Sequence, residues 1–314
     1  MNKSFLSLSI LACLIAGPSF AMQQEEPPVN PAVVEENEPE ELDVVRDVDD
    51  EGSDLEQRDF NLDMDISPMT LREAVDAPSR RPQSRDRDGA RNPYDTLEFF
   101  GIEPNMTVVE VWPGAGWYTE ILAPLLAAEG TLYAAHFPGD SESDFFRTAR
   151  GNYQDFLRTS NIYANVQITE FNPGSHHEIA PEGSADMVLT FRNLHNWYMR
   201  SGGEGLEQAM DAFYTALRPG GVLGMVDHRL PEDRDDEEAE SSGYIKQSWV
   251  VSAAEAAGFE LVDESDINAN PDDTADYSDG VWALPPTLRG GDPEGRFTEI
   301  GESGRFTLKF RKPE

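Results

Sequence analysis

The chain reads as an α/β protein, a mostly parallel sheet with helices on both faces, and three observations predict this. From about residue 107 to 263, β-branched apolar segments alternate with amphipathic helical ones, the pattern of a parallel sheet with right-handed crossovers. The stretch from Val108 to Tyr118 passes from a strand through a glycine turn into a helix. Glycines there let the backbone approach a ligand, and the helix start offers unpaired N–H groups. The last segment, Arg305 to Phe310, alternates polar and apolar residues as a final strand does.

Each element has its own signal. A short helix is expected over Thr70–Val75, then a charged stretch from Arg80 to Arg91. Asn92-Pro93 reads as an N-cap with a first-turn proline, opening a helix with Leu97, Phe99 and Phe100 that Gly101 closes. Strands follow at Thr107–Val111, Thr131–Ala135, Val166–Phe171, Asp186–Thr190, Val222–Val226 and Glu260–Asp263, with helices at Trp117–Ala128, Phe145–Leu157, Gly205–Leu217 and Ser248–Ala257. No internal repeat is present.

The two ends of the N-terminal region differ from this domain. Met1-Asn2-Lys3 and the apolar run Phe5–Ala16 read as a signal peptide, with Pro18 ending the run and Ser19 and Ala21 preceding the cut. Residues 1–21 are therefore expected to be removed and the protein exported, to a periplasmic or extracellular setting. Cys13, the single cysteine, is read as an ordinary apolar residue of that run rather than a lipid-attachment site, so the mature chain has no thiol. Residues 22–66 are dominated by Glu, Asp, Pro and Val, too polar to offset their ordering entropy, and are read as an acidic disordered linker. The folded domain is expected to span 67–314.

The net charge of −36 argues against nucleic acid and anionic membranes as partners, since both favour basic surfaces. A small molecule is the expected partner, with no stable membrane insertion once the signal is cut. Oligomeric state has no signal in the sequence.

Four further strings carry a resemblance. Glu110 to Glu120, Phe191-Arg192-Asn193-Leu194-His195-Asn196-Trp197, Trp282-Ala283-Leu284-Pro285-Pro286 and Phe310-Arg311-Lys312-Pro313 resemble the class I S-adenosylmethionine-dependent methyltransferases. They are closer still to a group of exported bacterial predicted methyltransferases of unsettled substrate. Leu217-Arg218-Pro219-Gly220-Gly221 looks like the turn common before the fifth strand of that family. The resemblance implies a Rossmann-like seven-stranded sheet of order 3-2-1-4-5-7-6, with S-adenosylmethionine as cofactor. It implies that Glu110, Trp112, Pro113, Gly114 and Gly116 form the loop around the cofactor's amino acid portion, joined by Arg192 and Asn193. Two positions depart from the family. Trp112 stands where the first glycine is usual, and His136 stands near the ribose-binding acid, where it could offer a hydroxyl only a donor.

His136, His195 and His228 are expected just beyond the carboxyl ends of parallel strands, where open α/β sheets bind ligands. His195 and His228 would follow adjacent strands about 5 Å apart. Either can serve as a general base for the methyl acceptor. A metal held by His195, His228 and Asp227 is the weaker reading, because no tight ligand spacing supports it. Trp117, Trp197 and Trp282 are candidates for the walls of a substrate site, and the loops around Arg80–Arg91 and Asn268–Arg289 for its shape. His176-His177-Glu178 reads as an exposed loop whose histidines point apart.

The expected function is thus methyl transfer from S-adenosylmethionine to a small molecule by an exported enzyme. Two alternatives stand beside it: a ligand-binding protein that keeps the fold without the reaction, and a metal-dependent hydrolase or lyase at the histidine cluster.

Overall fold

The computed structural model describes residues 67–314; the expected signal peptide and acidic linker lie outside the described residues. Eight strands form one sheet: β1 (Thr107–Val111), β2 (Thr131–His136), β3 (Val166–Glu170), β4 (Ala185–Phe191), β5 (Leu217–Leu230), β6 (Ile245–Lys246), β7 (Glu260–Ser265) and β8 (Arg305–Arg311). Their order is β3-β2-β1-β4-β5-β8-β7, with the two-residue β6 paired beside β5. Leaving β6 out, this is the expected order. The first five strands run parallel, and β8 is antiparallel to both β5 and β7.

Period-2 alternation divides the apolar side chains between two faces. Val108, Met187 and Leu189 face α4 (Pro93–Phe100) and α5 (Thr119–Leu126) through Leu97, Ile121 and Leu125. Val109, Val188 and Leu223 face the other way, toward α6 (Asp144–Leu157), α7 (Leu194–Ala216) and α8 (Gln247–Ala256). The Trp112 indole belongs to this second core. Its ring centre is 4.7 Å from Phe137, 5.8 Å from Phe146 and 5.4 Å from Trp197, and its Nε1–H donates to the Phe171 carbonyl at 2.9 Å. Among the described residues no helix is long and apolar enough to cross a membrane.

Several elements differ from expectation, each for a local reason. Helix α7 is two helical pieces joined at a kink, where Gly202 is non-helical at φ 59° and ψ −147°; the expected helix from Gly205 is its second piece, and a first piece, from Leu194, precedes it. Strand β5 extends through His228 to Leu230, so His228 lies within the strand, opposite Arg305, and not beyond its end. The charged stretch after α1 (Leu71–Val75) folds into two short helices, α2 (Pro82–Asp86) and α3 (Asp88–Arg91). Asn92 does precede α4, but at φ 43° its side chain makes no cap; it donates to the Ile267 carbonyl at 2.8 Å. A further short helix, α9 (Arg296–Ile300), had no sequence signal.

Restoring the usual glycine at Trp112 would remove a large buried side chain from four surrounding rings. Trp112→Gly is expected to cost about 3–5 kcal/mol, read from the urea midpoint, even though glycine suits the φ of 48° there. An unchanged midpoint would show that the indole does not support the core.

Candidate functional site

The glycine turn leaves β1 where the strand order reverses, with β2 on one side and β4 on the other, the switch point at which open α/β sheets bind ligands. Trp112, Gly114 and Gly116 all have positive φ, at 48°, 59° and 86°. Trp112 solves the problem its size poses by turning its indole into the core, so it takes no space on the ligand side. Pro113 follows it, buried. Gly116 is required by close packing as well as by φ: a Cβ there would lie 2.5 Å from the Phe156 ring.

Three side chains hold this turn. His136, at the end of β2, places Nε2 3.2 Å from the Gly114 carbonyl, while its Nδ1 accepts the Phe137 N–H at 2.8 Å. A ring that accepts at Nδ1 carries its proton at Nε2, so both nitrogens are engaged within the protein. Burial holds its pKa down to about 3, and the ring stays neutral. His136 therefore shapes the loop and leaves no ring nitrogen for a ribose hydroxyl, unlike the role inferred from its position. Asn193 donates from Nδ2 to the Val111 carbonyl at 3.0 Å and to Thr190 Oγ1 at 3.1 Å. Its buried Oδ1 meets no donor among the described residues. Asn196 likewise donates to the Arg192 carbonyl and keeps a buried Oδ1 without a donor there. Two buried acceptors without donors, at the start of α7, are what a ligand with N–H or O–H groups would satisfy.

Glu110 is the third. It accepts the Thr119 hydroxyl at 2.6 Å, and Thr119 Oγ1 lies 3.1 Å from the Tyr153 hydroxyl. Burial raises its pKa to about 8 against the opposing pull of Thr119, so the carboxyl is largely protonated at neutral pH.

Across the β4–β5 boundary Asp227 organises a second cluster. One carboxylate oxygen accepts the backbone N–H groups of Leu194 and His195, at 2.6 and 3.3 Å, and so caps α7 from a neighbouring strand. The other meets His195 Nδ1 at 2.7 Å and the His228 N–H at 2.7 Å. Burial pushes the Asp227 pKa up, but His195, His228 and these hydrogen bonds outweigh it and the net shift is downward. An ionised Asp227 fixes the Nδ1–H tautomer of His195 and makes Nε2 its basic nitrogen. His228 Nδ1 is hydrogen-bonded to Ser303 Oγ, and its ring centre is 5.1 Å from that of His195. His195, Asp227 and His228 could present ligand atoms to one ion. With four N–H groups already on the carboxylate, however, the arrangement is that of an aspartate-oriented histidine.

The other expected residues scatter. Trp117, Trp197 and Trp282 belong to three separate apolar clusters and do not wall one site. His176 Nε2 lies 3.6 Å from Asp140 and 3.5 Å from Glu170, while His177 turns to the Pro173 carbonyl. Arg192, at φ 61°, donates its N–H to the Val226 carbonyl at 2.7 Å and lines a small cavity with Arg91, Tyr118, Phe191, Val226, Asn268 and Arg305. Arg91 and Asn268 come from the two segments expected to shape the pocket. Arg305 and Ser303 had no sequence signal. Arg91 had one: five arginines crowd between 80 and 91 in a chain of net charge −36.

No protein-family model matches the sequence, and no curated protein matches it. Solved structures do resemble its fold. An S-adenosylmethionine-dependent methyltransferase from Aquifex aeolicus is 16% identical, with 78% of this chain and 99% of that one covered and a TM-score of 0.45. The [4+2]-cyclase SpnF is 17% identical, covering 76% and 84%, at 0.46. Human N-acetylserotonin methyltransferase, solved with S-adenosylmethionine, is 11% identical, covering 78% and 57%, at 0.45.

The raised Glu110 pKa sets a pH dependence. The native state keeps a proton that the unfolded chain releases near its ordinary value of 4.5. Stability attributable to this group is therefore complete below that value and declines as pH rises toward about 8. Glu110→Gln is expected to raise stability at pH 8 by about 1–3 kcal/mol, with the gain shrinking as pH falls toward 4.5. Urea titrations of both proteins at pH 5 and 8 check this; equal differences at the two values would contradict it.

Proposed function

We propose that this chain transfers a methyl group from S-adenosylmethionine to a small molecule, and that it does so after export. The observation that carries the reading is the positive-φ turn at Gly114 and Gly116 at the sheet's switch point, tied by Asn193 to β1 and β4. The residues fit the cofactor: Asn193 Oδ1 is a buried acceptor that meets no donor among the described residues, and an amino group is one. Glu110, Gly114, Gly116 and Asn193 would hold the cofactor, which supplies an electrophilic methyl group on a sulfonium.

The chain's own chemistry is proton transfer and positioning. Asp227 holds His195 by Nδ1, and His195 Nε2 takes the proton from the acceptor's O–H or N–H as the new bond to carbon forms. The positive charge left on the imidazole is stabilised by the Asp227 carboxylate. His228, anchored to Ser303 and Asp227, packs beside that ring and limits its rotation. Glu110 explains itself under this reading. A buried carboxyl that lowers stability at neutral pH is the kind of feature retained where a ligand uses it. The apolar run at residues 5–16, ended by Pro18 and followed by the small residues Ser19 and Ala21, supports export.

A second reading is favoured by Trp112 and His136: a ligand-binding protein of the same fold without methyl transfer. Both side chains replace expected cofactor contacts with contacts internal to the protein.

Calorimetric titration of the purified mature protein with S-adenosylmethionine and its demethylated product separates the two. The methyltransferase reading expects Kd values of about 1–100 μM, and a Gly114→Val variant that binds at least about tenfold more weakly because φ of 59° strains a β-branched residue. No binding of either compound would overturn it and leave the second reading.

A further inference from the structure

Beyond the glycine turn, the loops that follow β2 and β3 bring together three groups with metal-binding chemistry that the proposed function does not use. Asp140 lies in the loop after β2, Glu170 ends β3, and His176 lies in the loop after it. His176 Nε2 is 3.5 Å from Glu170 Oε2 and 3.6 Å from Asp140 Oδ1, and one ligand atom from each of the three residues lies within 4.8 Å of the other two. These separations are too long for hydrogen bonds, which hold N and O about 2.7–3.2 Å apart. They are close to what a single ion imposes: tetrahedral bonds of about 2.0–2.1 Å set two ligand atoms about 3.4 Å apart. Each ligand is also aimed from behind. Glu170 Oε1 accepts the Gly139 N–H and meets Arg150, both at 3.1 Å, which leaves Oε2 to face His176. His176 Nδ1 is 2.8 Å from the Ser175 hydroxyl, whose oxygen accepts Asn172 Nδ2–H at 3.0 Å. When Nδ1–H donates to Ser175, Nε2 turns its lone pair toward two carboxylates, the tautomer that a metal requires. Three electron-rich atoms facing one another call for a cation between them.

We propose that Asp140, Glu170 and His176 bind a divalent transition-metal ion of the zinc type, which clips the loop after β2 to the loop after β3. One imidazole with two carboxylates suits zinc, whereas calcium and magnesium favour sites made of oxygen alone. The fourth position is left to water, or to an anionic or hydroxyl group of a bound molecule. Arg150 offsets part of the negative charge, so the affinity is moderate rather than that of a closed structural site. The location gives the clip a use. Glu170 is the β3 partner of His136, whose Nε2 meets the Gly114 carbonyl, so the ion fixes the rim of the same sheet end that carries the glycine turn. Metal binding here is independent of methyl transfer.

The test uses the full mature chain, stripped with a chelator and titrated by calorimetry with zinc, calcium and magnesium chlorides. Zinc is expected to bind with a Kd of about 1–50 μM, and calcium and magnesium at least about twentyfold more weakly. His176→Ala and Glu170→Gln should each weaken zinc about tenfold or more. His177→Ala is the control: its ring turns to the Pro173 carbonyl, away from the set, and the Kd should stay within about twofold. Zinc should also raise the urea midpoint of the parent chain, and of His177→Ala, but not that of His176→Ala. All three proposed ligands lie at the surface or half-buried, so the variants are expected to fold, and their midpoints without zinc check this. If one of the two ligand variants does not fold, the other decides. Three results would overturn the inference. Zinc that does not bind at 1 mM, about twentyfold above the expected limit, leaves the three groups as an ion pair only. Zinc binding that survives both ligand changes lies elsewhere, at His195, Asp227 and His228 or on the acidic surface. Calcium binding as tight as zinc marks attraction to carboxylates without a role for the imidazole.

Discussion

The packing of the Trp112 indole is the constraint on which the site depends. The residue leaves β1 with positive φ, its N–H bonds to the Ala135 carbonyl, and its ring is gripped by residues from the ends of β2 and β3, from α6 and from α7. One side chain thereby locks the geometry of a turn that otherwise contains two glycines. His136 and Asn193 complete the hold from either side. A loop with little intrinsic rigidity becomes as fixed as the core beneath it, which is the preorganisation a binding site requires.

Asp227 plays the corresponding part for the second half of the cleft. A buried carboxylate is tolerable only when its oxygens are fully hydrogen-bonded, and here the donors come from both the helix start and the strand. The same bonds set the start of α7 and the tautomer of His195, so local fold and local chemistry cannot vary independently. Glu110 shows the opposite solution: left with one strong donor, it keeps its proton.

Much of the architecture was legible because burial on both faces writes itself plainly into strands such as Met187-Val188-Leu189. The switch point was legible from Gly114 and Gly116. Other features depend on contacts between distant parts of the chain and leave no local trace. Gly202-Gly203 does mark a kink in α7, but the helical piece before it, from Leu194, had no signal of its own. His228 looked like a strand-end residue because Pro219-Gly220-Gly221 and the acidic loop obscure how far β5 runs. His136 stood in the right place for a ligand contact, and only the geometry shows that the loop itself occupies its nitrogens. The arginine cavity joins residues 91, 192 and 305, a set that no local pattern could assemble.

The antiparallel strand β8 lies inside the sheet, between β5 and β7, although it comes last among them along the chain. Until residues 305–311 emerge from the ribosome, β5 and β7 have no common neighbour and the edge of β5 stands open. The nascent polypeptide therefore cannot close its sheet progressively from the N-terminus. Completion waits for β8 to enter between two strands made before it, so the sheet stays unfinished until residue 311 has been synthesised.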